Sequence, residues 1–389
     1  MHPPAGIING VFPPEVVLFE SPVKGRTKKI FLSVEREGKQ RNPAGAINIS
    51  FSPKILTQSV KEMLIPLRGF GCQKIPRGVD KLKIEPMKEQ LKLIVPASTS
   101  NIGAGFDTFG LALTLYNTFE IEESDAFEVE VYGEGADRLP TDINNLFLRT
   151  YIRACQELGV EDRPIRVVQK NGIPLGRGLG SSATAIIGGI LTAASLNNIK
   201  LSPQEVLEIA FLFEDHPDNL VPALVGGFTV SAVEEGSKRV HFEKLDFPKE
   251  LQIVVLIPDF EILTEEARKV LPAFVSLKDA VFNLQRASLL IAALVKKDFD
   301  LLRVAVEDKL HQPFRGKLLH GFEPFKEEAY KMGADAVFIS GSGSTIGVFT
   351  RKNADEIGRF GVEMYKRMGI PARYEILEAD REGARWAKI

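Results

Sequence analysis

One glycine-rich stretch, Pro174–Ala183 (PLGRGLGSSA), constrains this chain more than any other segment. It follows Ile165–Lys170, which has the apolar pattern of a strand, and it leads into Ser182–Asn197, whose small and apolar residues predict a helix. Glycine adopts positive φ values that other residues avoid. The stretch is therefore predicted to be a strand–loop–helix junction whose backbone N–H groups surround an anion.

The composition of this loop suits phosphate in particular. Gly176, Gly178 and Gly180 allow the backbone to approach a ligand closely, and the following helix offers unpaired N–H donors and the positive end of its dipole. Ser181 and Ser182 add hydroxyls for a phosphate oxygen or Mg²⁺. No GK[ST] follows, and the glycine spacing does not fit the dinucleotide motif, so neither of those two nucleotide-binding loops is present here. Taken alone, the loop is equally consistent with a flexible turn before a helix.

Two further segments argue for a ligand site. Pro96–Gly110 reads PASTSNIGAGFDTFG, and Phe338–Phe349 reads FISGSGSTIGVF, a second glycine-rich turn between predicted strands. Together with the loop at 174–183, they resemble the three ordered motifs of the GHMP kinases, named after galactokinase, homoserine kinase, mevalonate kinase and phosphomevalonate kinase. The resemblance covers residues 88–389. Ser344 replaces the proline that the third motif of the family usually contains, and we expect this to loosen the loop without removing a donor.

This resemblance implies an α+β, two-domain GHMP kinase fold. The N-terminal domain of that fold includes a left-handed βαβ crossover, and the C-terminal domain is ferredoxin-like. The resemblance also implies phosphoryl transfer from ATP to a small molecule, with Mg²⁺. The ATP-binding residues would be Pro174, Leu175, Gly176, Arg177, Gly178, Leu179, Gly180, Ser181, Ser182, Ala183 and Thr184.

Three shorter segments resemble the homoserine kinases within this superfamily. They are His216–Asn219 (HPDN, followed by LVPALVGG), Thr264–Arg268 (TEEAR) and Pro313–Lys317 (PFRGK). The implied reaction is phosphorylation of the side-chain hydroxyl of L-homoserine to O-phospho-L-homoserine, a step of threonine biosynthesis. Alternatives are another GHMP kinase, of shikimate or mevalonate type, and a GHMP-fold protein that binds its ligand without catalysis.

The same resemblance assigns roles to individual residues. Ser182 and Glu208 would bind Mg²⁺, and the guanidinium forks of Arg268 and Arg315 would bind the carboxylate of homoserine. The remaining substrate-binding residues would be Asp107 for the ammonium group, Asn101 and Asn219 for the hydroxyl and amine, and His216 and Thr264 beside them. Ser182, Glu208 and Asn219 would form the catalytic set. An amide cannot accept the hydroxyl proton, so direct transfer of that proton to the phosphate is expected.

The first 86 residues differ from the rest of the chain. They contain 14 Lys/Arg, 7 Asp/Glu and 10 of the 23 prolines, whereas the remainder contains 35 Lys/Arg and 44 Asp/Glu. A basic, proline-rich stretch with short apolar pieces does not readily bury a core. We therefore predict a poorly ordered extension over 1–86, which need not be part of the native enzyme. It would be followed by an ATP-binding domain over 87–248 and a C-terminal domain over 249–389.

The composition limits which binding partners and which cellular compartment are expected for this protein. The net charge of −2 gives no electrostatic reason to expect nucleic acid or a membrane surface. Cys72 and Cys155 lie in no CxxC or Cys/His cluster, so reduced thiols in a cytoplasmic protein are expected. No apolar run is long enough to span a bilayer. The expected partners are the small molecules ATP and homoserine, and the sequence leaves monomer and homodimer open.

Overall fold

A computed structural model describes residues 91–387 of the 389-residue chain and, upstream of them, the backbone of two strands. These are β1 (Val16–Val23) and β2 (Arg26–Ser33), which form an antiparallel hairpin with Val16 opposite Ser33. The hairpin belongs to a unit of its own, Met1–Leu82. Apart from this hairpin, the predicted extension over 1–86 lies outside the described residues, and its poor order stays a prediction.

Eleven further strands are described in residues 91–387, and they form two sheets. They are β3 (Leu91–Ser100), β4 (Phe109–Glu123), β5 (Glu128–Gly133), β6 (Ile165–Asn171), β7 (Phe228–Val233), β8 (Val240–Leu245), β9 (Gln252–Pro258), β10 (Ala336–Ile339), β11 (Ile346–Thr350), β12 (Ala372–Leu377) and β13 (Arg385–Ala387).

The helices of the same region vary widely in length. They are α1 (Leu146–Leu158), α2 (Ser181–Leu196), α3 (Pro203–Ala210), α4 (Pro217–Val225), α5 (Thr264–Lys269), α6 (Leu277–Lys296), α7 (Leu302–Ala305), α8 (Gln312–Arg315), α9 (Phe322–Lys331) and α10 (Ala354–Arg367), with a 3₁₀ turn at Phe299–Leu301. Within the described part of the chain, none of them combines the length and hydrophobicity that a membrane crossing requires.

The first sheet has the order β13-β3-β4-β6-β5, with β7 beside β4 and β8 beside β7. Strands β5 and β6 are parallel and are connected through α1, so these three elements form a βαβ unit. The second sheet, β10-β11-β9-β12, is antiparallel throughout, and its strand order is that of a ferredoxin-like domain. The predicted two-domain α+β fold is confirmed. The last strand, β13, returns to the first sheet, where Trp386 lies opposite Leu93.

Local capping signals explain several of the helix boundaries. The Asn145 side chain accepts a hydrogen bond from the Phe147 backbone N–H at 2.9 Å and starts α1, which ends at Gly159 with φ of 67°. Ser202 and Glu205 form a reciprocal capping box at the start of α3. Such caps stabilise a helix by about 1 kcal/mol each.

A continuous hydrophobic core joins the two sheets and fixes the motifs relative to one another. Phe109 and Leu111 from β4 pack in one cluster with Val255 from β9, Leu290 from α6 and Phe338 from β10. Burying each such side chain stabilises the fold by about 1.5–3 kcal/mol. Two other clusters lie between the first sheet and α1–α4, and between the second sheet and α9–α10. The ends of β3, β6 and β10 therefore meet at the junction of the sheets.

Candidate active site

The glycine-rich loop connects β6 to α2 as the sequence predicts. Gly176, Gly178 and Gly180 have φ values of 61°, 70° and 72°, in the left-handed region that favours glycine. A Cβ atom on Gly178 would overlap the carbonyl oxygen of Ser340, and one on Gly180 would overlap the Ser98 hydroxyl. Close packing therefore excludes any side chain at these two positions. Gly180 is also the N-cap of α2, so no capping side chain competes with a ligand for the first N–H groups of that helix.

The other two motifs contact this loop directly. The backbone N–H of Ser98, in the first motif, donates to the Leu179 carbonyl at 3.1 Å. In the third motif, Ser340 donates its hydroxyl to the Gly178 carbonyl at 2.6 Å, and the Thr345 N–H donates to the Arg177 carbonyl at 3.2 Å. The three sequence motifs therefore form one hydrogen-bonded unit.

A cavity of about 360 Å³ opens between the loop, the start of α4 and the start of α5. Most of the predicted site residues line it: Asn101, Asp107, Pro174–Ser182, His216, Asn219, Thr264, Arg268 and Arg315. Ala183, Thr184 and Glu208 do not. Ala183 and Thr184 are fully buried behind the loop, where the Thr184 hydroxyl accepts a hydrogen bond from the Asn117 side chain at 2.9 Å.

The structure contradicts the prediction for Glu208. This residue is exposed on α3, where its carboxylate accepts a hydrogen bond from the Gln204 side chain at 3.0 Å. Helix α3 ends at Ala210, and the turn that follows brings Glu214 into the cavity wall instead. Glu214 lines the cavity together with Ser182, and burial, with the nearby Asp215, raises the pKa of Glu214 to about 7. The signal in the sequence was its place two residues before the HPDN motif.

Two arginines and one aspartate occupy the other end of the cavity. Arg268 donates from Nη2 to Oδ1 of Asp107 at 2.7 Å, while its buried Nε has no hydrogen-bond partner among the described residues. Arg315 is almost fully buried and donates from Nη1 to the Gly341 carbonyl at 2.9 Å. Burial, reinforced by the positive charge of Arg268, lowers the pKa of Arg315 to about 10. Its guanidinium therefore remains protonated at neutral pH.

The two predicted asparagines already have partners in the protein. Asn219 accepts from the Ser98 hydroxyl at 2.9 Å and donates to the Ser100 hydroxyl at 3.0 Å. Asn101 donates to the Gly341 carbonyl at 3.1 Å and accepts from the Asp107 backbone N–H at 2.9 Å. Both amides line the cavity, and both also hold the motifs together.

Asp218 is a site residue that the sequence interpretation missed. It lies in the HPDN motif, is only 4% exposed and lines the cavity. Burial, together with the nearby negative charge of Asp107, raises the pKa of this carboxyl to about 7. Its neighbour His216 is the N-cap of α4, with Nε2 3.0 Å from a carboxylate oxygen of Asp215, and burial lowers the pKa of this imidazole. Strongly shifted pKa values such as that of Asp218 are concentrated at functional sites.

The serine at position 344, where the third motif of the family usually has proline, has a structural explanation. The hydroxyl of Ser344 is buried and lies 2.6 Å from the Phe260 carbonyl and 3.1 Å from the Pro258 carbonyl. It therefore anchors the turn to the end of β9. That the loop is looser without proline stays a prediction.

The remaining wall of the cavity combines apolar and amide side chains, which the sequence did not single out. Phe119, Leu139 and Leu146 line it together with Asn145 and Gln169. The two amides pair with each other, Gln169 donating to Asn145 at 3.0 Å. A flat apolar ring with polar edges fits such a wall.

The residues beside the loop also fit a magnesium ion. Within the described residues, no three His, Cys, Asp or Glu side chains are grouped to hold a metal on their own. Mg²⁺ in phosphoryl-transfer enzymes uses one or two carboxylates and takes its other ligands from phosphates and water. Ser182 and Glu214, which both line the cavity next to the glycine-rich loop, match this pattern.

Comparisons with known proteins agree with this geometry. The family of GHMP kinase N-terminal domains matches residues 145–227, and the family of GHMP kinase C-terminal domains matches residues 290–367. Homoserine kinase from Aquifex aeolicus is 49% identical over 296 residues, which is 76% of this chain and 99% of that protein. Homoserine kinase from Persephonella marina is 45% identical, with 76% and 97% covered.

Solved structures show the same relationship. The crystal structure of homoserine kinase from Cytophaga hutchinsonii has a TM-score of 0.70 at 28% identity and covers 79% of this chain and 100% of its own. A mevalonate kinase from L. major, at 14% identity and a TM-score of 0.57 with 76% and 99% covered, shares the fold. The motifs, the cavity and these matches together place the chain in the homoserine kinase family of the GHMP kinases.

Proposed function

We propose that this protein transfers the γ-phosphoryl group of ATP to the side-chain hydroxyl of L-homoserine, forming ADP and O-phospho-L-homoserine. One observation carries the proposal. One cavity is lined both by the glycine-rich loop before α2 and by a cluster formed by Asp107, Arg268 and Arg315. Phosphoryl transfer depends mainly on such alignment of two substrates and on neutralisation of charge.

The loop half of the cavity would bind ATP. The N–H groups around Gly178 and Gly180 and the first turn of α2 would hold the phosphates, and the wall with Phe119 and the amide pair Asn145–Gln169 would receive the adenine. Ser182 and Glu214 would hold Mg²⁺, which neutralises phosphate charge. A cation beside Glu214 would also favour ionisation of this carboxyl, opposing the effect of burial on its pKa.

The other half of the cavity suits a zwitterionic amino acid. The Arg268–Asp107 ion pair presents both charges that such a substrate needs, and the Nε of Arg268, which has no partner within residues 91–387, is a donor for a carboxylate oxygen. Arg315 contributes a second positive charge at close range. The substrate carboxylate would approach the arginines while its ammonium group approaches Asp107, so each protein charge keeps an opposite partner.

The hydroxyl of homoserine would then lie beside Asn219 and Asp218. The amide of Asn219 orients the hydroxyl and cannot take its proton, whereas the carboxyl of Asp218, with a pKa of about 7, is able to accept it. Direct passage of the proton to the phosphate is the alternative. We also infer that the protein acts in the cytoplasm, where ATP is available and thiols such as that of Cys155 stay reduced.

An acceptor panel tests the proposal. ADP release would be measured with homoserine, shikimate and mevalonate in parallel, each with Mg²⁺ and ATP. We expect turnover with homoserine at a kcat/KM far above the other two. Preferential use of shikimate or mevalonate would indicate another GHMP kinase, and ATP binding without ADP release would indicate a ligand-binding protein.

A further inference from the structure

His311, four residues before Arg315, lies outside the cavity lining but contacts the loop that carries Asp107. Its side chain is fully buried, and Nε2 lies 2.8 Å from the Gly103 carbonyl oxygen. A carbonyl only accepts hydrogen bonds, so Nε2 carries the proton and donates. The other ring nitrogen, Nδ1, is buried without a partner among the described residues. Burial lowers the pKa of this imidazole, in agreement with a neutral ring that has one donor.

The carboxylate nearest to this ring is already occupied. Asp308 lies 3.7 Å from Nε2 of His311, beyond hydrogen-bond distance. Its two oxygens accept from the Asn283 side chain at 2.7 Å and from the backbone N–H groups of Leu310, His311 and Gln312 at 2.9, 2.8 and 2.6 Å. Asp308 therefore builds the turn that presents the imidazole, and the Gly103 carbonyl is the partner of the ring.

The loop that accepts this hydrogen bond is strained. Asn101, Ile102 and Asp107 have φ values of 66°, 45° and 54°, in the left-handed region. Asparagine and aspartate tolerate this region, but a β-branched residue such as Ile102 rarely adopts it, at a cost of roughly 1–2 kcal/mol. Such a backbone persists only where its surroundings hold it. The hydrogen bond from His311 holds the loop at its centre.

The imidazole also contacts the substrate-binding charges through one aromatic ring. The Phe106 ring stacks on His311 with centroids 5.3 Å apart and an interplanar angle of 23°. The guanidinium carbons of Arg268 and Arg315 lie 5.4 and 5.1 Å from the centroid of the same ring. Phe106 therefore contacts His311 and both arginines, and the residue that follows it is Asp107, the ion-pair partner of Arg268.

We propose that His311 is a positioning residue for the acceptor. By donating to Gly103 and stacking on Phe106, it keeps Asp107, Arg268 and Arg315 at the spacing that a zwitterionic amino acid requires. This inference rests on the proposed function, because the groups that it positions are those assigned to homoserine. It concerns the acceptor alone, since the hydrogen bond and the stacking contact of His311 both lie on the acceptor side of the cavity.

Two substitutions separate the donor from the stacking ring. His311→Phe keeps an aromatic ring against Phe106 and removes the donor, whereas His311→Gln keeps a donor at the position of Nε2 and removes the ring. We expect His311→Phe to raise KM for homoserine about tenfold, the loss of roughly one buried hydrogen bond, with KM for ATP nearly unchanged. His311→Gln should recover part of that loss. Ile357→Ala, in a distant part of the core, controls for lost stability: it should lower Tm and leave both KM values unchanged.

A double-mutant cycle tests whether His311 acts through Asp107. If it does, His311→Phe in an Asp107→Asn background should raise KM for homoserine no further, because the group it positions is already impaired. Independent effects of the two substitutions, or equal changes in KM for homoserine and for ATP, would overturn the inference.

If the proposed function is wrong, the wild type releases no ADP with homoserine. A double-mutant cycle measured on thermal stability then tests the positioning role of His311. His311→Gln, which removes the stacking ring, and Phe106→Leu should then be coupled in their effect on Tm, and strictly additive shifts would refute the positioning role.

Discussion

The hydroxyl of Ser340 donates to the carbonyl of Gly178 at 2.6 Å and so connects the third motif to the glycine-rich loop across 162 residues of sequence. The backbone carbonyl of Ser340, in turn, lies where a Cβ on Gly178 would be. Gly178 therefore has two constraints at once, a positive φ and the absence of space. The loop and the third motif keep their contact only if this position is glycine.

This relationship predicts the effect of Gly178→Ala. Gly159 has a similar φ of 67°, but a Cβ added there would have no atom within 4 Å, so Gly159→Ala is a matched control for backbone strain alone. We expect Gly159→Ala to cost about 1 kcal/mol of stability. Gly178→Ala should cost about 3 kcal/mol or more and weaken ATP binding as the loop moves away from Ser340. Urea denaturation and ATP titration of both variants would show this, and equal losses would argue against the steric explanation.

The two acidic candidates for Mg²⁺ predict opposite outcomes. Glu214→Gln should reduce kcat strongly and raise the Mg²⁺ concentration needed for half-maximal rate, because Glu214 and Ser182 line the same cavity beside the glycine-rich loop. Glu208→Gln should behave like the wild type, since that carboxylate is exposed and contacts Gln204. Initial rates across a Mg²⁺ series would measure both. A strong effect of Glu208→Gln with none of Glu214→Gln would restore the interpretation from sequence.

The two arginines should differ in their effect on stability. Arg268→Ala and Arg315→Ala should each raise KM for homoserine more than they raise KM for ATP. The expected loss corresponds to about 2–5 kcal/mol of binding free energy for homoserine. Arg315→Ala should also lower Tm clearly, because the Gly341 and Ala267 carbonyls lose a buried donor. Arg268 is partly exposed, so its removal should change Tm little. Equal effects on both KM values would indicate a structural role for these arginines.

Asp218 should make the unliganded protein less stable as pH rises. Its pKa is raised from 3.8 to about 7 on folding, so between these values the native state binds a proton that the unfolded chain has released. The contribution of the Asp218 carboxyl to the free energy of unfolding is therefore fully present at low pH and is lost as the pH rises toward 7. Asp218→Asn removes the effect.

Urea denaturation without ligands at pH 5 and pH 8 would measure this difference. The measured quantity is the free energy of unfolding of Asp218→Asn minus that of the wild type. We expect this difference to be more favourable to the variant at pH 8 than at pH 5, by on the order of 2–4 kcal/mol. Parallel behaviour of the two proteins would show that the Asp218 carboxyl titrates normally. In the kinetic profile, an acidic pKa that disappears in this variant would support proton acceptance by Asp218.

A shortened chain tests the boundary predicted from composition. We predict that residues 87–389 are sufficient for stability and catalysis, and the match to the Aquifex aeolicus protein supports this, since it involves 76% of this chain and 99% of that relative. A protein that begins at Met87 should keep the Tm and kcat/KM of the full chain. Precipitation or loss of turnover would assign a role to the upstream residues.

The sequence by itself determined the features that depend on neighbouring residues. The strand–loop–helix junction at 174–183 follows from its glycines, because a loop with positive φ values requires them. The start of α3 follows from the capping box that Ser202 and Glu205 form. The three ordered motifs also indicated the α+β fold. The pairing of β13 with β3 joins residues almost 300 positions apart, which no local pattern reports.

Tertiary structure decided which side chains meet. Glu208 and Glu214 both precede the HPDN motif, and only the end of α3 at Ala210 determines that Glu214 enters the cavity. Asp218 reads as an ordinary loop aspartate until its burial is known, because a pKa of about 7 arises from desolvation and neighbouring charge. The stacking of Phe106 on His311 likewise depends on packing between distant segments. Local sequence encodes backbone conformation, whereas the electrostatics of a site depend on groups that only folding brings together.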